Sequence, residues 1–288
     1  MATVIEQANI VCPAKGQALP DRFREIISDP LNLLIERVPK AGVVEHGRIT
    51  LHNGLRVPVN NYYGEFSSIL AINRGVHEPL EEYVFQEMLR QLDPTQPIEM
   101  IELGSYWAHY SMWLKSCFPH ARTTCVEPAP EHLEAGRKNF ALNGMSGDFI
   151  QAFVSSEHFQ VDAFLAQQPP REIDILHADI QGFELQMLAG ATEALGDRRI
   201  KRLFVSTHSQ DLHRDVLKFL QATDYRIDVS ADFANETTSF DGFIYACLPE
   251  LRSILSDVDI MGRTTICASP PKELVGYLDR ILDRLRRT

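Results

Sequence analysis

The feature that most constrains the fold begins at Pro97, where short apolar runs start to alternate with stretches of helical periodicity. Such alternation is typical of βαβ units, in which a helix connects two parallel strands of one sheet. It predicts a doubly wound α/β domain with a Rossmann-like, mostly parallel sheet. The predicted strands are 98–103, 123–127, 149–154, 173–179, 200–207, 225–229 and 240–247, and the predicted helices are 107–118, 131–142, 182–195 and 213–222.

The residues before this domain, 1–94, predict an α+β extension with a hairpin and a helix. Asn53-Gly54 would supply the two positive-φ residues of a tight turn between two alternating segments. The helix follows at 79–92, where an apolar residue at every fourth position forms one stripe that can pack on a sheet. Three acidic residues, Glu78, Glu81 and Glu82, fall in its first turn.

After residue 250 the strand pattern stops, and residues 251–288 form a predicted C-terminal extension. Ser269-Pro270 opens an amphipathic helix. The residues that share its apolar face are Leu274, Leu278, Ile281, Leu282 and Leu285. We expect this face to dock on the core, with a homodimer contact as the alternative. The main domain is therefore predicted to span residues 95–250.

The charge balance bears on the class of partner. The 288 residues include 28 Lys and Arg against 39 Asp and Glu, a formal net charge of -11. Nonspecific nucleic-acid binding depends on Lys and Arg that displace counterions, so this balance argues against a nucleic-acid partner. A small-molecule partner fits better.

Compartment can be inferred from apolar runs and cysteines. The N-terminus has no basic stretch followed by an apolar run, and no window offers the roughly 18 apolar residues of a membrane span. We therefore expect a cytoplasmic protein without a membrane segment. Five scattered cysteines without a C-x-x-C pair predict reduced thiols, not disulfides or a thiolate zinc site. They are Cys12, Cys117, Cys125, Cys247 and Cys267.

The end of the first predicted strand, Glu102-Leu103-Gly104-Ser105-Tyr106, is a strand-to-helix junction of the kind where open α/β sheets bind ligands. At Gly104 a side chain would block the approach of a ligand to the backbone. The dinucleotide fingerprint G-x-G-x-x-G is absent because Tyr106 occupies its second glycine position, which disfavours a nicotinamide-dependent oxidoreductase.

A second carboxylate, Glu127, ends the next predicted strand. An acidic group at that strand end can accept hydrogen bonds from both ribose hydroxyls of a nucleoside. The alternative is that Glu102 and Glu127 are merely charged residues exposed at strand ends.

Over about residues 97–247 the chain resembles the FkbM-type methyltransferases. The segments that carry the resemblance are IELGSYWAHYSMWL, VEPAPEHLEAGRKNFALNG, DILHADIQGFELQMLAGA, FVSTHSQDLH and SFDGFIYA. The resemblance implies a class I methyltransferase fold with S-adenosylmethionine at the carboxyl ends of the first strands. It also implies the cofactor-binding residues, namely Glu102, Gly104, Ser105 and Tyr106 on the first loop, Glu127 on the ribose hydroxyls with Pro128 beside it, and Asp179.

Three positions depart from the family pattern. Ala108 stands where a glycine is usual, His177 replaces the usual lysine before the aspartate, and Gln181 replaces the usual glutamate before a glycine. Loss of a lysine and a carboxylate alters the electrostatics near the acceptor. The family resemblance therefore predicts the cofactor better than it predicts the identity of the acceptor.

Two residues are predicted to act on the acceptor. Asp179 ends the fourth strand and can orient the sulfonium or an acceptor hydroxyl. His208 ends the fifth strand and can serve as general base, because the pKa of a histidine lies near neutrality. Glu184 either complements a helix dipole or acts with them, whereas His213 would cap the following helix or face solvent.

The sequence thus favours O-methylation of a hydroxyl on a sugar or other hydroxylated metabolite. A non-catalytic nucleoside-binding or assembly module on the same fold is the alternative. Mg²⁺ bound by Asp179 and His208, with Glu184 or Asp241, is chemically possible but not favoured. His77-Glu78, directly before the N-terminal helix, either contact the acceptor or only provide charge at a helix N-terminus.

Overall fold

The computed structural model describes residues 20–60, 67–169, 171–255 and 260–287. Within the N-terminal extension the elements are α1 (Asp21–Ser28), β1 (Val44–Glu45), β2 (Arg48–Thr50), β3 (Arg56–Pro58), α2 (Ser68–Ile72) and α3 (Pro79–Leu89).

The predicted hairpin is formed by β2 and β3, with Ile49 opposite Val57. Its turn differs from the prediction. The N–H of Leu51 donates to the carbonyl of Leu55 at 2.7 Å, and of the three residues between them only Gly54 has positive φ, at 88°. A three-residue loop of this kind needs one left-handed residue where a two-residue turn needs two.

Seven strands form the central sheet. The strands are β4 (Glu99–Leu103), β5 (Arg122–Glu127), β6 (Asp148–Gln151), β7 (Ile175–Ala178), β8 (Arg202–Thr207), β9 (Arg226–Ala231) and β10 (Gly242–Cys247). Their order is β6-β5-β4-β7-β8-β10-β9, and β10 runs antiparallel to both neighbours while the other neighbours are parallel. The predicted fold class is confirmed.

The strand order reverses between β4 and β7, which is where sheets of this type form a ligand crevice.

The helices that follow depart from prediction in several places. They are α4 (His109–Cys117), α5 (Pro130–Leu142), α6 (Val161–Ala166), α7 (Glu184–Ala189), α8 (Thr192–Gly196), α9 (Gln210–Gln221), α10 (Arg263–Ala268) and α11 (Pro271–Arg287). The predicted helix 182–195 is divided into α7 and α8, and α6 was not predicted. The predicted helix 213–222 begins earlier, because the Ser209 hydroxyl accepts the N–H of Leu212 at 3.2 Å and caps α9.

The two faces of the sheet carry different cores. On one face Met100, Phe204 and Tyr245 pack with the extension and α4. On the other face Leu176 and Val205 pack with α6 through α9. The extension therefore supplies much of one layer of the α/β sandwich.

The helix α3 lies inside that layer. The predicted apolar stripe packs in the core, but the other sides of the helix are buried as well, so that all eleven residues from Pro79 to Leu89 are buried. Glu81 and Glu82, 5% and 0% exposed, are therefore interior carboxylates instead of surface residues of a first turn. Buried carboxylates need charged or hydrogen-bonding partners, and the partners of these two shape the site described below.

The C-terminal helix α11 docks on the core through Ile281 and through Tyr277, which the sequence did not single out. Leu282 is 40% exposed, so its predicted place on the docked face is wrong, and the side chain of Leu285 lies outside the described residues. Cys117, Cys125, Cys247 and Cys267 are free thiols, while Cys12 lies outside the described residues. None of the described helices combines the length and apolar character that crossing a membrane requires.

Candidate active site

A cavity of about 360 Å³ opens at the carboxyl ends of β4, β5 and β7, where the strand order reverses. Every residue predicted to bind the cofactor lies on its wall. These residues are Glu102, Gly104, Ser105, Tyr106, Glu127, Pro128 and Asp179. The parallel strands bring them together because the carboxyl ends of parallel strands meet at one edge of the sheet.

Glu127, at the end of β5, is held in place by two backbone amides. Its Oε2 accepts the N–H of Tyr106 at 3.1 Å and its Oε1 accepts the N–H of Ala129 at 3.0 Å. The side chain is 6% exposed. Each carboxylate oxygen has a further lone pair, so Glu127 can accept two more hydrogen bonds from a ligand in the cavity.

The structure gives a different reason for glycine at position 104 from the predicted one, which was access of a ligand to the backbone. Its φ is 70°, and an added Cβ would overlap the carbonyl oxygen of Asp179. The missing side chain thus allows the β4 loop to lie against the end of β7, and this contact, not ligand access, excludes a side chain. Gly104 also donates its N–H to the carbonyl of Val126 at 2.9 Å, which places it beside Glu127.

Glu102 and Ser105 contribute polar atoms deeper in the same wall. Glu102 is 3% exposed and its Oε2 accepts the N–H of Ser111 at 2.9 Å. Burial raises the pKa of Glu102 above its usual value. The Ser105 hydroxyl has no hydrogen-bond partner within the described part of the chain, so it is available to a ligand.

The loop that follows contains two non-glycine residues in the left-handed region, Tyr106 with φ 43° and Ala108 with φ 62°. Ala108 directly precedes α4. The left-handed conformation explains why glycine is usual at this position, since glycine adopts it without a steric penalty.

Asp179, just after β7, lies beside His208 and Glu184. The Nε2 of His208 is 3.0 Å from Asp179 Oδ1, and its Nδ1 is 3.0 Å from Glu184 Oε1. Burial opposes the charged imidazole, but the hydrogen bonds and charges of the two carboxylates outweigh it and raise the pKa of His208 to about 11. The expected near-neutral pKa is therefore wrong, and His208 is an imidazolium between two carboxylates.

The state of Asp179 follows from this pairing. Burial acts to raise its pKa, but the hydrogen bond and charge of His208 lower it below the ordinary value. Asp179 is therefore an ionised carboxylate on the cavity wall, whereas His208 is not among the residues that line the cavity. Asp241, 4.0 Å from His208, has its pKa raised to about 6 by burial.

His213, in contrast, is a buried structural residue, so the predicted capping or solvent-facing position is wrong. Its Nδ1 lies 2.9 Å from Thr207 Oγ1 and its Nε2 lies 3.0 Å from Ser230 Oγ. Burial lowers its pKa, and the neutral ring joins α9 to β8 and β9.

The extension contributes His77 and Glu78 to the wall of the same cavity, where they lie beside Tyr110 of α4. The Tyr110 hydroxyl donates to Glu78 Oε2 at 3.2 Å, and Arg22 lies 3.4 Å from Glu78 Oε1. Burial, together with the charges of Glu81 and Asp179, raises the pKa of Glu78 to about 7, even though His77 acts in the opposite direction. A carboxyl group with this pKa can take up a proton at neutral pH.

His177, in place of the usual lysine, keeps a positive charge at this position. It is paired with Glu81 of α3 inside the core. Burial disfavours the imidazolium, but the charge and hydrogen bond of Glu81 outweigh it and raise the pKa of His177. Glu81 also accepts a hydrogen bond from the Ser206 hydroxyl at 2.7 Å.

Sequence reasoning missed the acidic side chains of α3 and the histidines that they contact. One signal was available in the sequence. The apolar residues of the helix cover more of its surface than a single stripe would. They are Leu80, Tyr83, Val84, Phe85 and Met88. A helix that is apolar on most sides is buried, so acidic residues within it need partners.

Comparison with known proteins agrees with this geometry. Residues 93–227 match the methyltransferase FkbM domain, and no curated protein is significantly similar to the chain. Ribosomal protein L11 methylase from Lactobacillus delbrueckii subsp. bulgaricus has 13% identity and a TM-score of 0.43, covering 61% of this chain and 81% of that chain. The O-methyltransferase from Bacillus cereus in complex with SAH has 12% identity and a TM-score of 0.44, covering 60% of this chain and 82% of that chain.

The strand order, the single antiparallel strand and the cavity at the reversal point define the Rossmann-like fold of class I methyltransferases. Within that class, the domain at residues 93–227 belongs to the FkbM methyltransferases. The family assigned from the sequence is confirmed.

Proposed function

We propose that the chain transfers a methyl group from S-adenosylmethionine to a hydroxyl of a sugar or other hydroxylated metabolite. The observation that carries this proposal is that Glu127 and Asp179 line one cavity. Its volume, about 360 Å³, lies within the range of roughly 300–1,000 Å³ that is typical of small-molecule sites.

The residues on one side of the cavity fit the cofactor. Glu127 has free lone pairs for two ribose hydroxyls, and the Ser105 hydroxyl can bond a polar group of the methionine part. Phe153, Val154 and Phe183 provide apolar surface for a flat base.

S-adenosylmethionine supplies a methyl group already activated by positive sulfur. The protein then mainly has to align the acceptor oxygen with that carbon and exclude water. Asp179, ionised and fixed by His208, would orient the acceptor hydroxyl. His208 acts here as a positioning residue, because each of its two ring nitrogens faces a carboxylate and its pKa is raised.

Glu78 is the better acceptor for the proton of the hydroxyl. It lines the cavity, and the pKa of about 7 leaves a substantial fraction ionised at neutral pH. In this proposal Glu78 takes the hydroxyl proton as the oxygen bonds to the methyl carbon.

We further propose that Asp179, Glu184 and His208 act without Mg²⁺. Their ligand atoms lie within 4.8 Å of one another, but the two ring nitrogens of His208 already lie 3.0 Å from one carboxylate each. Turnover in metal-depleted buffer should therefore not change when Mg²⁺ is added.

The acceptor is proposed to be a small molecule, not a nucleic acid, because no Lys or Arg is among the described residues that line the cavity and the net charge is -11. The cytoplasmic location and the homodimer contact stay predictions.

Calorimetry with S-adenosylmethionine tests the cofactor site. We expect Glu127→Gln to weaken binding by about tenfold or more, since a neutral amide accepts hydrogen bonds from the ribose less strongly. Glu134→Gln, on the exposed side of helix α5 that follows β5, is the matched control and should bind as the wild type does. If Glu127→Gln bound S-adenosylmethionine as tightly as the wild type, Glu127 would not be the residue that binds the ribose hydroxyls.

Transfer itself is tested by following S-adenosylhomocysteine formation over a panel of hydroxyl and amine acceptors. Turnover confined to hydroxyl compounds supports O-methylation. Tight cofactor binding without transfer to any member would favour the nucleoside-binding module instead.

A further inference from the structure

A second cluster lies between the extension and α4, next to the active-site cavity. His52 comes from the loop between β2 and β3, Glu82 from α3, and His109 is the first residue of α4. Their exposed fractions are 1%, 0% and 2%. One nitrogen or carboxylate oxygen from each lies within 4.8 Å of the others.

The first ligand is oriented by the backbone. The Nδ1 of His52 is 3.3 Å from the carbonyl oxygen of Glu36, which can only accept a hydrogen bond, so Nδ1 carries the hydrogen. The Nε2 of His52 lies 3.1 Å from Glu82 Oε2, and a bound metal ion would replace the proton between these two atoms. Metal-bound histidines are commonly oriented by this kind of bond to a backbone carbonyl.

The carboxylate of Glu82 is fixed on its other oxygen. Oε1 accepts the backbone N–H groups of His77 at 2.8 Å and Glu78 at 3.1 Å, and it lies 2.6 Å from His77 Nδ1. These contacts fix the carboxylate so that Oε2 is directed toward His52.

His109 supplies the independent observation. Neither ring nitrogen has a hydrogen-bond partner among the described residues, although the ring is 2% exposed. An imidazole in this position can offer the lone pair of one ring nitrogen to a metal ion. Its ring is stacked on Trp107, with centroids 4.9 Å apart, which fixes its plane.

We infer that His52, Glu82 and His109 form a buried binding site for a divalent transition-metal ion of the zinc type. Two imidazole nitrogens and one carboxylate oxygen are a ligand set that Zn²⁺ prefers, with a fourth position left for a further ligand. Tetrahedral zinc with bonds of about 2.0–2.1 Å needs its ligands roughly 3.3 Å apart. The His52–Glu82 pair is already at 3.1 Å.

The surroundings provide access and suggest a role. His52 lines a second cavity, of about 700 Å³, that is also lined by Glu36 and Cys117, while His109 lines the active-site cavity. An ion held here would join the hairpin loop, α3 and α4. It would thereby fix the extension, which carries Glu78, against the catalytic domain.

Metal analysis of the purified full chain tests the site without cofactor or acceptor, so its result is independent of the proposed function. After exposure to Zn²⁺ and dialysis against metal-free buffer, we expect about one Zn²⁺ per chain. His109→Phe keeps the ring stacked on Trp107 but removes the ligand, and His52→Gln removes the other imidazole. Each should weaken Zn²⁺ binding by about 100-fold or more, since losing an outer-shell partner alone costs 10–100-fold.

His208→Gln is the matched control, because His208 belongs to the other group of possible ligands, with Asp179 and Glu184. It should retain the wild-type zinc content. Loss of zinc in His208→Gln with retention in His109→Phe would overturn the inference, and so would a folded wild type that retains no zinc.

Tryptophan fluorescence gives a second readout that reports folding and position together. The chain has two tryptophans, and Trp113 lies 4.4 Å from the His52 ring while Trp107 stacks on His109. Co²⁺ should quench this emission, and excess Zn²⁺ should restore it. Quenching of the same amplitude in a folded His109→Phe variant would show that the ion binds elsewhere.

Discussion

His177 on β7 and Glu81 on α3 form a buried ion pair between residues 96 positions apart in sequence. The pair joins the N-terminal extension to the centre of the sheet, next to the cavity. It also keeps a cation at the position where the family usually has lysine. The extension is thus part of the structure around the active site, because its acidic side chains are counterions for the sheet.

Glu81→Ala should destabilise the protein strongly. Removing one member of a buried pair leaves the other charge without compensation, which typically costs about 3–5 kcal/mol. Chemical denaturation at pH 7 measures the change. Glu45→Ala, which removes an exposed ion pair with Lys40, is the control and should leave the free energy of unfolding nearly unchanged. Similar effects of the two substitutions would contradict the buried pair.

His208 should make stability depend on pH in the alkaline range. Its folded pKa of about 11 lies above the unfolded value of about 6.5, so its contribution is complete below pH 6.5 and is lost as pH rises toward 11. His208→Gln should therefore flatten the decline in unfolding free energy between pH 7 and 10. His213→Gln should keep the wild-type slope in this range, because the pKa of His213 is lowered and its titration affects the acid side.

Glu78 should control the acid limb of the pH–rate profile. If it accepts the hydroxyl proton, kcat/KM rises with pH through about 7, the pKa of Glu78. Glu78→Gln should abolish this limb and lower kcat by about 10²–10⁴-fold, the usual contribution of a general base. Cofactor affinity should change little. If the acid limb of the pH–rate profile were unaltered in Glu78→Gln, a group other than Glu78 would accept the hydroxyl proton.

Tyr110→Phe is a finer test of the same carboxyl. The Tyr110 hydroxyl donates to Glu78 Oε2 and stabilises its charged form. Removing this hydroxyl should raise the pKa of Glu78, so the acid limb of the pH–rate profile should move to higher pH without being abolished.

Gly104→Ala should disrupt the junction of β4 with β7. The new methyl group would overlap the carbonyl oxygen of Asp179, so we expect a loss of more than ~3 kcal/mol of unfolding free energy and of cofactor binding. Gly144→Ala is matched in backbone conformation, with φ of 69°, but nothing lies near its added methyl. It should cost only about 1 kcal/mol, the penalty of the left-handed conformation. Equal costs would show that steric overlap at Gly104 is relieved by movement.

The strand ends were predictable from the sequence because parallel β/α order is a local pattern. Apolar runs located β4, β5 and β7, and topology then required Glu102, Glu127 and Asp179 to meet at one edge. Local patterns were less reliable where capping or packing decided the boundary, as at Ser209 and at the break between α7 and α8.

What the sequence determined by itself was the class of fold, the family and the cofactor wall, since these depend on periodicity and on residues within short motifs. Only the tertiary structure decided the protonation of His208, the pairing of Glu81 with His177, and the meeting of His52, Glu82 and His109. The physical reason is that pKa values and buried pairs depend on distances between segments that are remote in the chain, and on water excluded by their packing.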